Sequence, residues 1–475
     1  MLCALGSVLA MVGCTSPSPI ESAPSSSSAS GPAAQEVPAH FKAPKDGPFG
    51  DWRAFLNDYP ETGSEGDPVA VELGPRPAAL VASLPPGSLK RALASCTMEP
   101  KRTDFSIAHR GASRLFPEHT REAYIAAAQQ GAGLIECDVT FTRDGALVCR
   151  HAQCDLHRTT NILETPLAER CRQSFQSASD GKPATVECCT SDLTLDEFLS
   201  LCGRHDDANR QATRAEEYQR GPTYADPERY PQCGTLMTLD ASIALIESLG
   251  AGHVPELKAP EVPMPFDTDG DGVGDLTQTR YADALIDTYR RRGVDPTRLF
   301  PQSFRLDDVR HWITTYPDLA DRVIWLDGRA APLDPKDPVD PGSLGVGPTF
   351  TELRAEGLRI VAPPLWFMLR AEAGRIVPSS YAIDARRAGL DLIGWTIERS
   401  GSLLEDVKQH SDRAFFYRST RSALTSEGDI FTTLEVLKRQ VGVRGVFSDW
   451  PATTTYFDAC GPVPPRPVKA GATAE

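Results

Sequence analysis

Short apolar runs alternate with helical patterns along most of this chain. The runs fall at 105–108, 134–139, 253–257, 298–301, 323–327, 358–362, 391–396 and 443–448, separated by Gly, Pro and Asp. Strand-length runs alternating with helix-length segments predict βα units and a parallel sheet. Eight such units fit a (β/α)8 TIM-type barrel better than an open doubly wound sheet, and no G-x-G-x-x-G follows any run. The barrel is expected over 103–460, with a tail at 461–475. Ahead of it, residues 46–102 mix aromatic and charged positions and read as an N-terminal extension with a helix at Ser88–Ala94. One excursion breaks the rhythm. Residues 155–240 are polar and cysteine-rich, a long insertion after the second strand. A structureless loop of that length is uncommon unless it is functional or stapled. It is expected either to lie over the catalytic rim or to decorate the surface.

The start of the chain changes the picture of where the protein works. Residues 1–14, MLCALGSVLAMVGC, are small and apolar and too short to span a bilayer. They read as a signal peptide, and Met11-Val12-Gly13-Cys14 resembles a bacterial lipobox whose Cys is acylated. A cleaved, unlipidated signal is the alternative. Residues 15–45 are rich in Ser, Pro and Ala and read as a disordered tether. An exported protein at a bacterial periplasm or cell surface is expected, touching membrane only through a lipid on Cys14. Ten cysteines remain after Cys3 and Cys14, an even number that suits an oxidising compartment. Cys202 and Cys233 are expected to be bridged, closing the charged loop between them. The net charge of -15 argues against a nucleic-acid backbone as partner. It does not argue against a phosphate-bearing substrate if a metal sits in the site. Nothing in the sequence sets an oligomeric state.

Candidate chemistry gathers at the ends of the apolar runs. The first run ends in His109-Arg110-Gly111, followed by Pro117-Glu118-His119-Thr120 ahead of a helical stretch. Glu136 and Asp138 lie two apart on the second run, so both face one way, roughly 7 Å apart along the strand. Two carboxylates so placed repel unless a cation or a proton sits between them, and oxygen ligands of this kind suit Mg2+ or Ca2+. Beyond them, Asp144-Gly145 predicts a two-residue hairpin loop. That register pairs 143 with 146 and, further back, sets His151 opposite Asp138. Glu256 and Lys258 form another alternating pair, placed to complete a metal site and to hold a phosphate oxygen. Asp327, Trp395 and Asp449 end three later runs, each with a structural alternative; Trp395 suits an apolar wall. Asp267-x-Asp269-x-Asp271-Gly272-x-x-Asp275 contains the acidic spacing of a calcium loop, but Gln278 occupies the twelfth position, so it is closer to short calcium loops than to an EF-hand. A second, structural Ca2+ at Asp267, Asp269, Asp271 and Asp275 is the expectation, and a solvated acidic turn the alternative.

Taken in order, His109-Arg110-Gly111, Pro117-Glu118-His119-Thr120, Glu136-x-Asp138, the hairpin to His151, Arg158-x-Thr160, Glu256-x-Lys258, Trp395-Thr396 and Gly445-x-x-x-Asp449-x-Pro451 resemble the glycerophosphodiester phosphodiesterases, over roughly 103–455. Pro-Glu-His-Thr, where Pro-Glu-Asn-Thr is commoner, looks like the periplasmic branch. The resemblance implies one divalent cation, Ca2+ or Mg2+, on Glu136, Asp138 and Glu256. It implies Arg110 and Lys258 on the phosphate, Trp395 beside the substrate, and His109 and His151 as the general acid/base pair. In the family a glycerol hydroxyl attacks phosphorus, and water opens the cyclic phosphate to glycerol 3-phosphate and an alcohol. The expected partner is thus a small glycerophosphodiester. One position departs: Ala152 stands where the family has Asp after the second His, so another group must orient His151. Two other readings remain: a phosphodiesterase of the same scaffold acting on lysophospholipids, sphingomyelin or teichoic acids, and a catalytically inactive surface-anchored binding lipoprotein.

Overall fold

The computed structural model describes residues 69–221, 233–329, 347–399, 402–404 and 412–462. The expected signal (1–14), tether (15–45), first part of the extension and most of the tail lie outside these residues. Eight parallel strands form the barrel: β1 Thr103–Ala108, β2 Ala132–Phe141, β3 Gly252–Leu257, β4 Gln302–Ser303, β5 Ile324–Leu326, β6 Ile360–Ala362, β7 Asp391–Ile397 and β8 Gly445–Ser448. β1 pairs with both β2 and β8, so the sheet closes on itself as a TIM-type barrel. A strand in such a barrel is covered on both faces, and β2 is buried at all ten of its residues. Ile107, Leu134, Val254, Ile324, Ile360 and Phe447 fill the interior below the mouth.

A helix follows each strand: α1 Arg121–Gln129, α2 Leu239–Ser248, α3 Gln278–Arg291, α4 Leu306–Thr315, α5 Phe350–Ala355, α6 Ser380–Arg387, α7 Asp429–Val436 and α8 Pro451–Cys460. Their starts are written locally. Thr120, Thr238, Thr277, Thr349 and Ser379 each accept a backbone N–H of the first turn, and Pro451 opens α8 where a missing N–H costs nothing. The fourth strand sits at Gln302–Ser303 rather than at 298–301. Pro301 lacks the N–H that would continue the ladder, so Phe300 bonds back to His253 O and pairing resumes beyond the proline.

The hairpin after β2 corrects the expected register. Val139 pairs with Cys149 and Phe141 with Leu147, so the loop holds three residues, not two. Thr142 N–H bonds Ala146 O across it, and Gly145 takes φ +76°, the left-handed position such a loop requires. Asp138 therefore faces Arg150, whose N–H donates to Asp138 O at 2.8 Å, and His151 lies one residue further on. The insertion that follows is a small folded unit. Leu156, Ile162, Leu193, Phe198 and Tyr218 form its own core, and Cys154–Cys189, Cys171–Cys188 and Cys202–Cys233 staple it. The last pair is the one expected from sequence. A further bridge, Cys137–Cys149, joins β2 to the hairpin.

Two helices of the N-terminal extension, Arg76–Ser83 and the expected Ser88–Ala94, lie against the barrel through Leu80 and Leu93. Tyr456 of α8 donates to Leu93 O at 2.7 Å, and Cys96–Cys460 joins the extension to the end of α8. That bridge spans 364 positions of sequence. Closing so long a loop restricts the unfolded chain strongly, so Cys96→Ala with Cys460→Ala should cost about 2–5 kcal/mol. Denaturant unfolding of oxidised wild type and the double variant reads this directly; equal midpoints would refute it.

Candidate active site

Strand register brings the acidic residues together. Asp138 on β2 lies beside Glu256 on β3, and Glu256 beside Gln302 on β4. Side chains of Glu136 and Asp138 project to the same face, as their spacing required. One oxygen from each of Glu136, Asp138 and Glu256 falls within 4.8 Å of the others, and all three residues are buried. Glu136 is held from two sides: Gln302 Nε2 donates to Oε1 at 2.8 Å and the Arg110 N–H to Oε2 at 3.0 Å. Lys258 Nζ sits 2.6 Å from Glu256 Oε1. His119 Nε2 donates to Asp138 Oδ2 at 2.8 Å, while Tyr124 hydroxyl supplies a proton to Nδ1 at 3.1 Å. Burial pushes the His119 imidazole down to about 4, which keeps it neutral and fits this tautomer.

Three buried carboxylates cannot all ionise without compensation. Burial, then the charge of Asp138, pushes the Glu136 carboxyl well above the usual range. Burial also raises Glu256 to about 8, with Lys258 opposing and Asp138 adding to the rise. Asp138 is the exception: burial would raise it, but Lys258 and the His119 hydrogen bond outweigh that and hold it well below. Its Oδ1 is buried without a hydrogen-bond partner in the structure. Hard oxygen donors, one of them unpartnered, around a charge-deficient centre fit a divalent cation.

His109 stands beside this cluster, its Nε2 4.0 Å from Glu136 Oε2. Its Nδ1 bonds Asp449 Oδ1 at 2.7 Å, and Ser113 hydroxyl donates to the same oxygen at 2.6 Å. The tether fixes the ring and leaves Nε2 aimed into the mouth. Burial, then Arg110, lowers the His109 imidazole against the raising effect of Asp449. Arg110 takes φ +62° and Gly111 φ +85°, turning the chain sharply after β1. A Cβ on Gly111 would lie 2.7 Å from Ala123 of α1, so only glycine permits this approach. Arg110 Nη1 donates to both oxygens of Glu118, at 3.0 and 2.9 Å, and its Nε lies 3.7 Å from Asp138 Oδ2.

His151 lies near, though not opposite, Asp138. Two further carboxylates lie close to it: ligand atoms of Glu118, His151 and Asp155 fall within 4.8 Å of one another. Asp155 is fixed by the Ala152 N–H at 3.0 Å and the Thr159 hydroxyl at 3.1 Å. It is thus a fixed carboxylate close to His151, although Ala152 itself carries none. Burial, with Arg110 and Lys258 adding, pushes the His151 imidazole well down, and burial raises Asp155 to about 6.

Trp395 lies near the end of β7, its Nε1–H on Ala362 O at 2.8 Å, packed among Phe304, Phe415 and Phe416 as an apolar wall. Asp327 is structural, taken up by Arg329 and Tyr381. In the acidic loop, Asp267, Asp269 and Asp271 converge within 4.8 Å. Asp275 does not join them; its carboxylate accepts the Thr268 N–H at 2.9 Å and hydroxyl at 2.7 Å. Four site residues had no role assigned from sequence. Gln302, His119 and Asp449 orient the expected ligands and base, and Arg399 follows β7 and donates to Glu118 at 3.2 Å from both terminal nitrogens. Arg399 also lies 3.7 Å from Asp206, which places the insertion at the rim rather than away from it.

Cationic side chains set against a metal-type carboxylate cluster suit a phosphate oxyanion, and with two imidazoles at the mouth they place this barrel among TIM-type phosphodiester hydrolases. Residues 109–453 match the Glycerophosphoryl diester phosphodiesterase family, and the chain belongs to that family. An extracellular protein of Arthroderma benhamiae is 38% identical over 257 residues, covering 54% of this chain and 98% of that protein. The glycerophosphodiester phosphodiesterase of Bacillus subtilis is 46% identical over 108 residues, 21% of this chain and 36% of that enzyme, so the match spans about a third of its length. Among solved structures, an Oleispira antarctica phosphodiesterase in complex with the product sn-glycerol-3-phosphate aligns with a TM-score of 0.43 at 17% identity, over 74% of this chain and 96% of that one.

The raised Glu256 gives a signed prediction. A carboxyl whose folded pKa, about 8, exceeds its unfolded value near 4.5 binds its proton more tightly when folded. Without a cation it therefore costs stability increasingly as pH rises from 4.5 towards 8, by up to a few kcal/mol. Melting temperature in chelator should fall across this window, and a divalent cation should remove most of the fall. Glu256→Gln should make the fall in chelator smaller, leaving the part that the raised Glu136 contributes. Parallel curves with and without cation would refute the site.

Proposed function

We propose that the protein hydrolyses glycerophosphodiesters to glycerol 3-phosphate and an alcohol, with His109 and His151 as the acid/base pair. The observation that carries this is the placement of both imidazoles at one mouth, beside Arg110, Lys258 and the carboxylates Glu136, Asp138 and Glu256. A divalent cation held by those three carboxylates, Ca2+ or Mg2+, would supply further positive charge against the phosphate. Arg110 and Lys258 neutralise the non-bridging oxygens, and Trp395 walls the apolar side of the substrate. His109, its Nδ1 proton held by Asp449, offers Nε2 as the base for the glycerol hydroxyl that attacks phosphorus. His151, flanked by Glu118 and Asp155, holds a proton for the departing alcohol oxygen. The phosphodiester's own charge offsets the cations that depress it. The two roles exchange when water opens the cyclic phosphate.

Ala152 is the one departure that favours an inactive binding lipoprotein, and the closeness of the Asp155 carboxylate to His151 weighs against it. Lysophospholipids remain the competing substrates, because Phe304, at 42% exposed, extends the Trp395 wall outward. Five disulfides and the similarity to an extracellular protein support export. A lipid on Cys14 belongs to the same proposal.

Head-group release from glycerophosphocholine, compared with lysophosphatidylcholine, tests the substrate. Faster turnover of the lysophospholipid would overturn the preferred reading. His109→Ala and His151→Ala should each lower turnover by about 10²–10⁴-fold while melting near wild type; two folded variants with normal turnover would remove the acid/base assignment. Asp267, Asp269 and Asp271 are read as a second, structural Ca2+ site. Asp269→Ala with Asp271→Ala should raise the calcium needed for thermal stability and spare turnover at saturating metal. Identical calcium-dependent melting of the two proteins would leave only a solvated turn.

A further inference from the structure

Arg76 belongs to the N-terminal extension, outside the span that matches the family. Its guanidinium grips both oxygens of Glu398, Nε to Oε1 at 3.2 Å and Nη2 to Oε2 at 2.6 Å. Glu398 is 3% exposed and also accepts the Thr453 hydroxyl at 2.7 Å. The backbone of Glu398 has φ +66°, a left-handed conformation that a side chain other than glycine adopts only when its surroundings hold it. The next residue is Arg399, which donates to Glu118, the anchor of Arg110, and lies 3.7 Å from Asp449, the tether of His109. The same Arg76 guanidinium lies 5.3 Å from the centre of the Trp450 ring, and Trp450 directly follows Asp449. One side chain of the extension thus braces two barrel segments, each one residue from a group at the catalytic mouth.

We propose that Arg76 is a positioning residue for the phosphodiesterase site. Its two-pronged hold on Glu398 fixes the turn that aims Arg399 at Glu118 and Asp449, so the extension is part of the catalytic apparatus. A lysine keeps the charge but reaches with a point donor and cannot reproduce the fork and the stacking together. A residue that served folding alone would change the melting temperature and the folded fraction, lowering apparent kcat, but would leave KM untouched. Arg76 acts through the phosphate-binding network and moves KM.

The proposal rests on the glycerophosphodiesterase reading, and one set of kinetics separates the two. Arg76→Lys should raise KM for glycerophosphocholine, and the inhibition constant of glycerol 3-phosphate, by about 3–10-fold. In an Arg399→Gln background the same substitution should have less than about a twofold effect, since the pathway runs through Arg399. Should Arg76→Lys lose its melting transition, Arg76→Met with Glu398→Gln removes both charges, leaves no buried carboxylate unpaired, and should show the same rise in KM. A folded variant with wild-type KM and inhibition constant overturns the proposal, as does an effect of equal size in the Arg399→Gln background. A wild type that cleaves no glycerophosphodiester overturns the functional reading and this proposal with it.

Discussion

Like-charge repulsion at the barrel mouth is the constraint to which the rest of the site answers. Strand register forces Glu136, Asp138 and Glu256 into one buried volume. Three nearby cations are in turn anchored by carboxylates: Lys258 by Glu256, Arg110 by Glu118, and Arg399 by Glu118. The resulting lattice of alternating signs extends from β2 to the end of β7 and into the insertion through Asp206. A network of this kind is worth most when every member is satisfied, and loss of one partner leaves another buried and unpaired. That explains why so many site residues are themselves held by buried partners, as His109 is by Asp449.

Much of this was legible in the chain because it is local. Two carboxylates two apart on an apolar run share a face whatever the fold, and a Thr or Ser before a helical stretch caps it. The hairpin register was not legible. Asp144-Gly145 serves a two-residue loop and a three-residue loop alike, and only the latter puts Gly145 at the position taken here, moving His151 by one. Gln302 and Arg399 carry no local signature; Gln302 reaches Glu136 across β3, and Arg399 reaches Glu118 because closure sets β8 between β7 and β1. The missing Asp after His151 was visible, but the approach of Asp155 to His151 was not, because Asp155 arrives at the start of a short helix rather than along the strand.

The insertion is built to a different rule from the barrel that carries it. The barrel buries large apolar side chains between strands and helices, while the insertion has a small core and three disulfides in place of packing area. Small units reach stability this way when they cannot enclose enough apolar surface. The cross-links and small core hold a polar segment whose Arg158 and Asp206 form an ion pair at 2.6 Å, with Asp206 at the rim.

The bridge between Cys96 and Cys460 has a mechanical consequence. Every barrel strand lies between these two positions. Tension applied to the chain before Cys96 and after Cys460 therefore passes through a sulfur–sulfur bond, and the strands carry none of it. Among the described residues, the two helices ahead of Cys96 lie in series with the load. For a protein held by its leading segment, a pull would peel those helices first and, with them, Arg76 from Glu398, while the barrel itself stayed closed.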